Sequence, residues 1–97
     1  MQSDIILKKS DKPSKKWKVT VDGKTIYFGA SGYSDYTIHQ DSVRKKRYIF
    51  RHKNNEDWDD IYTAGFWSRY ITWNKNTIEK SIKDVEKKLR RKIILIL

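Results

Sequence analysis

The sequence predicts an α+β domain in which an antiparallel β-hairpin, or a small sheet grown around it, packs against two or three helices. Three observations predict this. Residues 17–29 read as strand, tight turn and strand, and two later segments carry apolar residues at helical spacing. The chain is also 13% aromatic, with four Trp, six Tyr and three Phe. A disordered basic polypeptide lacks such rings, because aromatic burial is what offsets the entropy lost on folding. Ninety-seven residues suffice for one modest core and not for two.

Residues 1–16 are predicted as a flexible basic arm. Lys8, Lys9, Lys12, Lys15 and Lys16 surround Pro13, with Ser10 and Ser14 between them, leaving room for one short strand at Asp4–Lys8. The α+β domain then spans residues 17–97. Trp17-Lys18-Val19-Thr20-Val21 alternates apolar and polar residues as a half-buried strand does. Asp22-Gly23 supplies the positive φ angles of a type I′ turn, and Lys24–Gly29 is the return strand. Ala30 to Thr37 is a Gly/Ser/Tyr-rich loop.

Asp41 is a good N-cap for a helix running to about His52, where Asn54-Asn55 breaks it. Asp57 to Asp60 forms an acidic connector around Trp58. A short helix from about Ala64 to Trp73 carries Phe66, Trp67, Tyr70, Ile71 and Trp73 around much of its circumference, which predicts the central buried helix. Asn76 and Glu79 have the spacing of a capping box. Beyond them Ile78, Ile82, Val85 and Leu89 form one apolar stripe, with Lys80, Lys83, Lys87, Arg90 and Arg91 off it. The tail Ile93-Ile94-Leu95-Ile96-Leu97 must be buried, beside another strand or against a second chain, because an exposed β-branched run aggregates.

Twenty-two Lys and Arg against twelve Asp and Glu leave a net charge of +10, which attracts polyanions, nucleic acid first. The absence of cysteine excludes disulfides, thiolate catalysis and cysteine-based zinc sites. Ile5-Ile6-Leu7 is too short an apolar run for a signal peptide. No segment approaches the roughly 18 apolar residues of a membrane span. The expectation is an intracellular protein with no membrane partner.

Four constellations could carry chemistry. Arg44, Arg47 and Arg51 fall at i, i+3 and i+7, flanked by Lys45, Lys46 and Lys53, so three guanidiniums line one helix face. The guanidinium fork donates two parallel hydrogen bonds to a phosphate. The competing reading is a solvated face paired with Asp57, Asp59 and Asp60. Tyr33 and Tyr36, among small residues beside this helix, could stack single-stranded bases or serve as lids over the core. Asp35, His39, Asp41, His52 and Glu56 could in principle hold a divalent metal for phosphodiester cleavage, but they repeat no ligand motif, so no metal, cofactor or catalytic residue is assigned. His52 reads more simply as a cation at a helix C-terminus, and Asp41 as a cap. Thr63 to Arg69, leading to Trp73-Asn74-Lys75, reads as folding core, with Arg69 a partner for the acidic connector.

The candidate nucleic-acid-binding set is therefore Arg44, Lys45, Arg47 and Arg51, with Lys15 and Lys16 from the arm, Tyr33 and Tyr36 from the loop, and Lys87 and Arg90 from the last helix. DNA is the expected partner, bound through phosphates with little base readout. The alternative is a homodimeric structural or interaction protein joined through Ile93, Ile94, Leu95, Ile96 and Leu97.

Lys24-Thr25-Ile26, Phe28–Thr37, His39, Asp41, Arg44-Lys45, Arg47-Tyr48, Arg51-His52, Trp58, Thr63–Arg69, Trp73-Asn74-Lys75 and Ser81–Asp84 together form a specific string. Over residues 15–88 it resembles a family of small basic proteins of unknown function from large nucleocytoplasmic DNA viruses, relatives of mimivirus and marseillevirus. The chain departs from that pattern at Asn76, where a proline is usual, and in its apolar C-terminal extension. The resemblance implies a viral protein of the virion, or of the host cytoplasm or nucleus, and implies no catalytic residue. A long packed genome needs its phosphate neutralised, which makes an accessory DNA-binding role the expectation.

Overall fold

The computed structural model describes residues 4–97. The fold is α+β: a four-stranded sheet covered on one face by helices. The strands are β1 (Ile5–Lys9), β2 (Lys15–Val21), β3 (Lys24–Ala30) and β4 (Ile93–Ile96). Their order is β3-β2-β1-β4, antiparallel except that β1 and β4 run parallel. The predicted hairpin is β2–β3, with Val21 paired to Lys24. Its turn has φ of 51° at Asp22 and 79° at Gly23. Both are positive, as a type I′ turn requires.

The short strand expected at Asp4–Lys8 is present as β1, and the flexible arm around it is a correction. Residues 5–9 form an interior strand, and Lys15 and Lys16 open β2; the arm's first three positions lie outside the described residues. Ile5 and Leu7 are fully buried because β1 is paired on both sides, to β2 and to β4. Residues 10–14, read as part of the same arm, are a turn in which Ser10 Oγ accepts from Lys12 N at 2.9 Å. The tail's partner is β1 of the same chain: Ile5, Ile6, Leu7 and Lys8 face Ile93, Ile94, Leu95 and Ile96 in register.

Four helical segments follow the hairpin. α1 (Tyr36–His39) and α2 (Ser42–His52) are joined through Gln40, which adopts φ 54°. Asp41 caps α2 as expected, its carboxylate accepting from Val43 N and Arg44 N. α3 (Ala64–Trp67) continues into a wider π-helical turn, Ser68–Thr72, and α4 spans Ile78–Leu89. The cap of α4 is Thr77 and not Asn76: its hydroxyl reaches Lys80 N at 3.1 Å, and Glu79 falls one position short of the capping-box site.

The core lies between the sheet and the α3/π segment. Ile5, Leu7, Trp17, Val19, Val21 and Phe28 meet Phe66, Trp67 and Ile71, with Ile82 and Val85 of the predicted α4 stripe closing one side. Burial of each such side chain stabilises by about 1.5–3 kcal/mol. Trp67 Nε1 donates to Ile61 O at 2.7 Å, which satisfies the polar atom of the central ring. Arg91, nearly buried, donates to both carboxylate oxygens of Asp22 and so ties the hairpin turn to the start of β4.

Candidate nucleic-acid interface

α2 is held to the body by few residues. Tyr48 is its only buried residue. The ring stacks face to face on Trp73, with centroids 4.4 Å apart and planes 2° apart, and His52 covers its other face at 4.4 Å. Burial pushes the Tyr48 hydroxyl pKa up to about 12. Lys45 is the second anchor. Its Nζ donates to Asn74 O at 2.6 Å and lies 4.8 Å from the Tyr36 ring centre. Burial, with Arg69 and Lys75 nearby, lowers its pKa below the usual lysine range.

These anchors fix which way the other helix residues point. Arg44, Arg47 and Arg51 line a cleft of about 520 Å³. The opposite wall is the β3 end and the loop after it, with Gly29, Ala30, Tyr33, Ser34 and Asp35; the floor is Ala64, Gly65, Ser68, Thr72 and Trp73 of the α3/π segment. The π-helical turn shapes this floor: Thr72 Oγ1 and Trp73 N both return to Ser68 O, at 2.8 and 3.0 Å. Lys16 enters from β2.

The loop wall is set by Asp35, which is 3% exposed. One carboxylate oxygen accepts from Thr37 N at 3.0 Å and from the Thr37 hydroxyl, capping α1; the other accepts from Lys16 Nζ at 2.7 Å. The Lys16 charge is therefore engaged. Glu56 lines the cleft as well: its Oε1 is 3.7 Å from His52 Nδ1, and its carboxylate lies over Gly65, where a Cβ would overlap it.

The arginines are different. Among the described residues, the side chains of Arg44, Arg47 and Arg51 make no hydrogen bond, ion pair or ring contact. Of the expected competitors, Asp57 and Asp60 accept from backbone amides of their own connector, Asp59 N and Tyr62 N, and among the described residues none of Asp57, Asp59 and Asp60 forms an ion pair with the arginines. Among the described residues Arg69 is not paired with an acid of that connector either, and meets it through Trp58. Its guanidinium donates to Trp73 O at 3.1 Å and lies against Trp58 and Tyr70.

The predicted set thus divides. Arg44, Arg47, Arg51, Lys16 and Tyr33 share the cleft. Lys45 and Tyr36 are inside the fold that supports it. Lys15 is exposed at the start of β2 and does not line the cleft. Lys87 sits with Lys75, Lys80, Lys83 and Asp84 in a shallower depression, and Arg90 ends α4 at φ 54°. Ser68, Thr72 and Trp73 were not predicted as lining; Trp73 reads from sequence as core because only its partner, Tyr48, shows which face it covers. The carboxylate and histidine set is dispersed. Asp35 and Asp41 cap helices, His39 Nδ1 accepts from Asp41 N, and only His52 and Glu56 meet. Among the described residues no three His, Cys, Asp or Glu side chains gather in metal-binding reach.

No described helix is long and apolar enough to cross a membrane. No curated protein and no solved structure matches the chain. Residues 5–52, from β1 to the end of the arginine helix, match the model of a family of unknown function (DUF5754), so the chain is similar to that family over two of the three walls of the cleft.

Proposed function

We propose that this protein binds nucleic acid through phosphate contacts in the cleft beside α2, largely without sequence specificity. The observation that carries this reading is three guanidiniums of one helix face, free of internal partners, lining one concavity on a chain of net charge +10. A guanidinium left unpaired at a cleft keeps both prongs of its fork for an incoming phosphate. In the viral setting that the sequence resemblance implies, the partner is DNA and the role is an accessory one in the virion or at the replication site.

The test is fluorescence anisotropy of labelled DNA across a salt series. The logarithm of affinity should fall linearly with the logarithm of salt, and replacing Arg44, Arg47 and Arg51 together by Ala should reduce the slope by about 3, one unit per lost phosphate contact. Salt-independent binding, or an unchanged slope in a folded triple variant, would sink the reading.

A homodimer joined through the tail is the second reading. It is supported by the outer edge of β4, where Ile96 is 45% and Leu97 83% exposed. Light scattering of the protein with and without residues 94–97 tests it: an unchanged monomer mass for both removes it.

A further inference from the structure

The cleft differs from a flat basic surface in size and in the state of its aromatic residues. Its volume of about 520 Å³ lies within the range of small-molecule pockets, roughly 300–1,000 Å³, that enclose a ligand of nucleotide dimensions. A duplex is far too wide to enter; its phosphates could only brush the rim.

The rings around the cleft are spoken for, with one exception. Tyr48 is covered on both faces by Trp73 and His52. Trp73 also meets His39, and Tyr36 carries the Lys45 ammonium over its face. Tyr33 is 73% exposed, lines the cleft, and among the described residues its side chain makes no hydrogen bond or ring contact. It follows Gly32, whose φ of +84° turns the loop at that point. A large apolar ring held in water beside three unpaired guanidiniums is the pairing used for single strands, where cations track the backbone and a ring stacks a base.

We propose that the cleft is a seat for one unpaired nucleotide of a single strand, with Tyr33 stacking its base and Arg44, Arg47 and Arg51 holding the flanking phosphates. This rests on the phosphate-binding reading above and deepens it by naming the strand form. The seat is sequence-tolerant, because every base offers a face to a ring, whereas the arginines read only charge and spacing. The hydroxyl of Ser34 and that of Ser68, both lining the cleft, are the polar groups available to the sugar.

The experiment is competition anisotropy across a salt series, with a short oligodeoxythymidine strand and a duplex of equal length compared at each salt concentration. The single strand should bind at least tenfold more tightly. Tyr33→Ala should lower single-strand affinity about tenfold, leave the salt slope unchanged and leave duplex binding alone; Tyr33→Trp should restore the affinity. Equal binding of strand and duplex, or a Tyr33→Ala variant that binds the strand like the parent, overturns the nucleotide seat while leaving phosphate binding standing. Failure of both probes to bind overturns phosphate binding and the seat with it.

Discussion

α2 and α4 are both basic and amphipathic, yet they are built on opposite terms. α4 buries Ser81, Ile82 and Val85 against the core, and its lysines occupy what is left of its surface. α2 buries Tyr48 alone and turns its arginines into a cleft. Of the α4 lysines, Lys88 lies over Tyr70, while Lys80, Lys83 and Lys87 share a depression with Asp84, whose carboxylate accepts from Asn74 Nδ2. The α2 arginines share their cleft with Asp35 and Glu56 and, among the described residues, form no ion pair with either. Charge and concavity separate the two: α2 carries three Arg and two Lys with no acidic residue and faces a cleft, whereas α4 carries four Lys against three acids and borders a shallower depression.

The contrast is sharpest at the anchors. Tyr48→Ala should cost about 3 kcal/mol, the range of aromatic truncations in cores, and should also abolish high-affinity DNA binding by releasing α2. Ile82→Ala should cost about 2–4 kcal/mol with affinity unchanged in the folded fraction. Denaturant unfolding and anisotropy on the same samples check both; equal loss of affinity in the two variants would break the comparison.

Charge removal comes next. The Arg44, Arg47 and Arg51 triple Ala variant should lose binding by about a hundredfold near physiological salt, or roughly 2.7 kcal/mol. Replacing Lys80, Lys83 and Lys87 should weaken binding by less than about threefold, because those charges act only through the screened long-range field. Comparable losses from the two triples would make the cleft irrelevant.

The caps give a smaller and cleaner pair. Asp41→Ala and Thr77→Ala should each destabilise by about 1 kcal/mol. Only the first should alter affinity, because Asp41 holds the amides of Val43 and Arg44 at the start of the arginine helix. Thermal melts with and without DNA distinguish them.

The smallest effect concerns pH. The Asp22 carboxyl is held below its ordinary value of 3.8, first by the hydrogen bond from Arg91 and then by that from Tyr62. A carboxylate whose folded pKa is depressed stabilises the fold above its unfolded pKa, and that stability disappears as the pH falls through the folded value. The parent should therefore lose Tm more steeply than Asp22→Asn on acidification from pH 5 to pH 3. Parallel curves would show that the Arg91 contact does not differ between the two protonation states.

Much of this architecture is legible in the sequence. Asp22-Gly23 announces its turn because few residues tolerate positive φ in succession. The α4 stripe and the Asp41 cap are local patterns that need no tertiary information. The short strand at Asp4–Lys8 was legible and is β1, but its interior place was not, because its partner β4 lies at the far end of the described chain. The arginine face was readable from its i, i+3, i+7 spacing. The cleft was not: its opposite wall depends on Asp35 gripping Lys16 across 19 positions, and its floor on a π-helical turn that no spacing rule foretells. Lys45 was misplaced for the same reason, since only the fold reveals Asn74 O within its reach.

The Asp22–Arg91 contact joins residues 69 positions apart, and that separation has a kinetic meaning. Local structure in the β1–β2 and β2–β3 hairpins and in α4 closes short loops and can form early, whereas the outer edge of β1 waits for β4 across nearly the whole described chain. Until then the β4 side of β1 is an unpaired, aggregation-prone edge. The guanidinium acts as a late latch on the last strand to dock. Removing it should leave the refolding rate nearly untouched and show itself as faster unfolding, the mark of an interaction absent from the transition state.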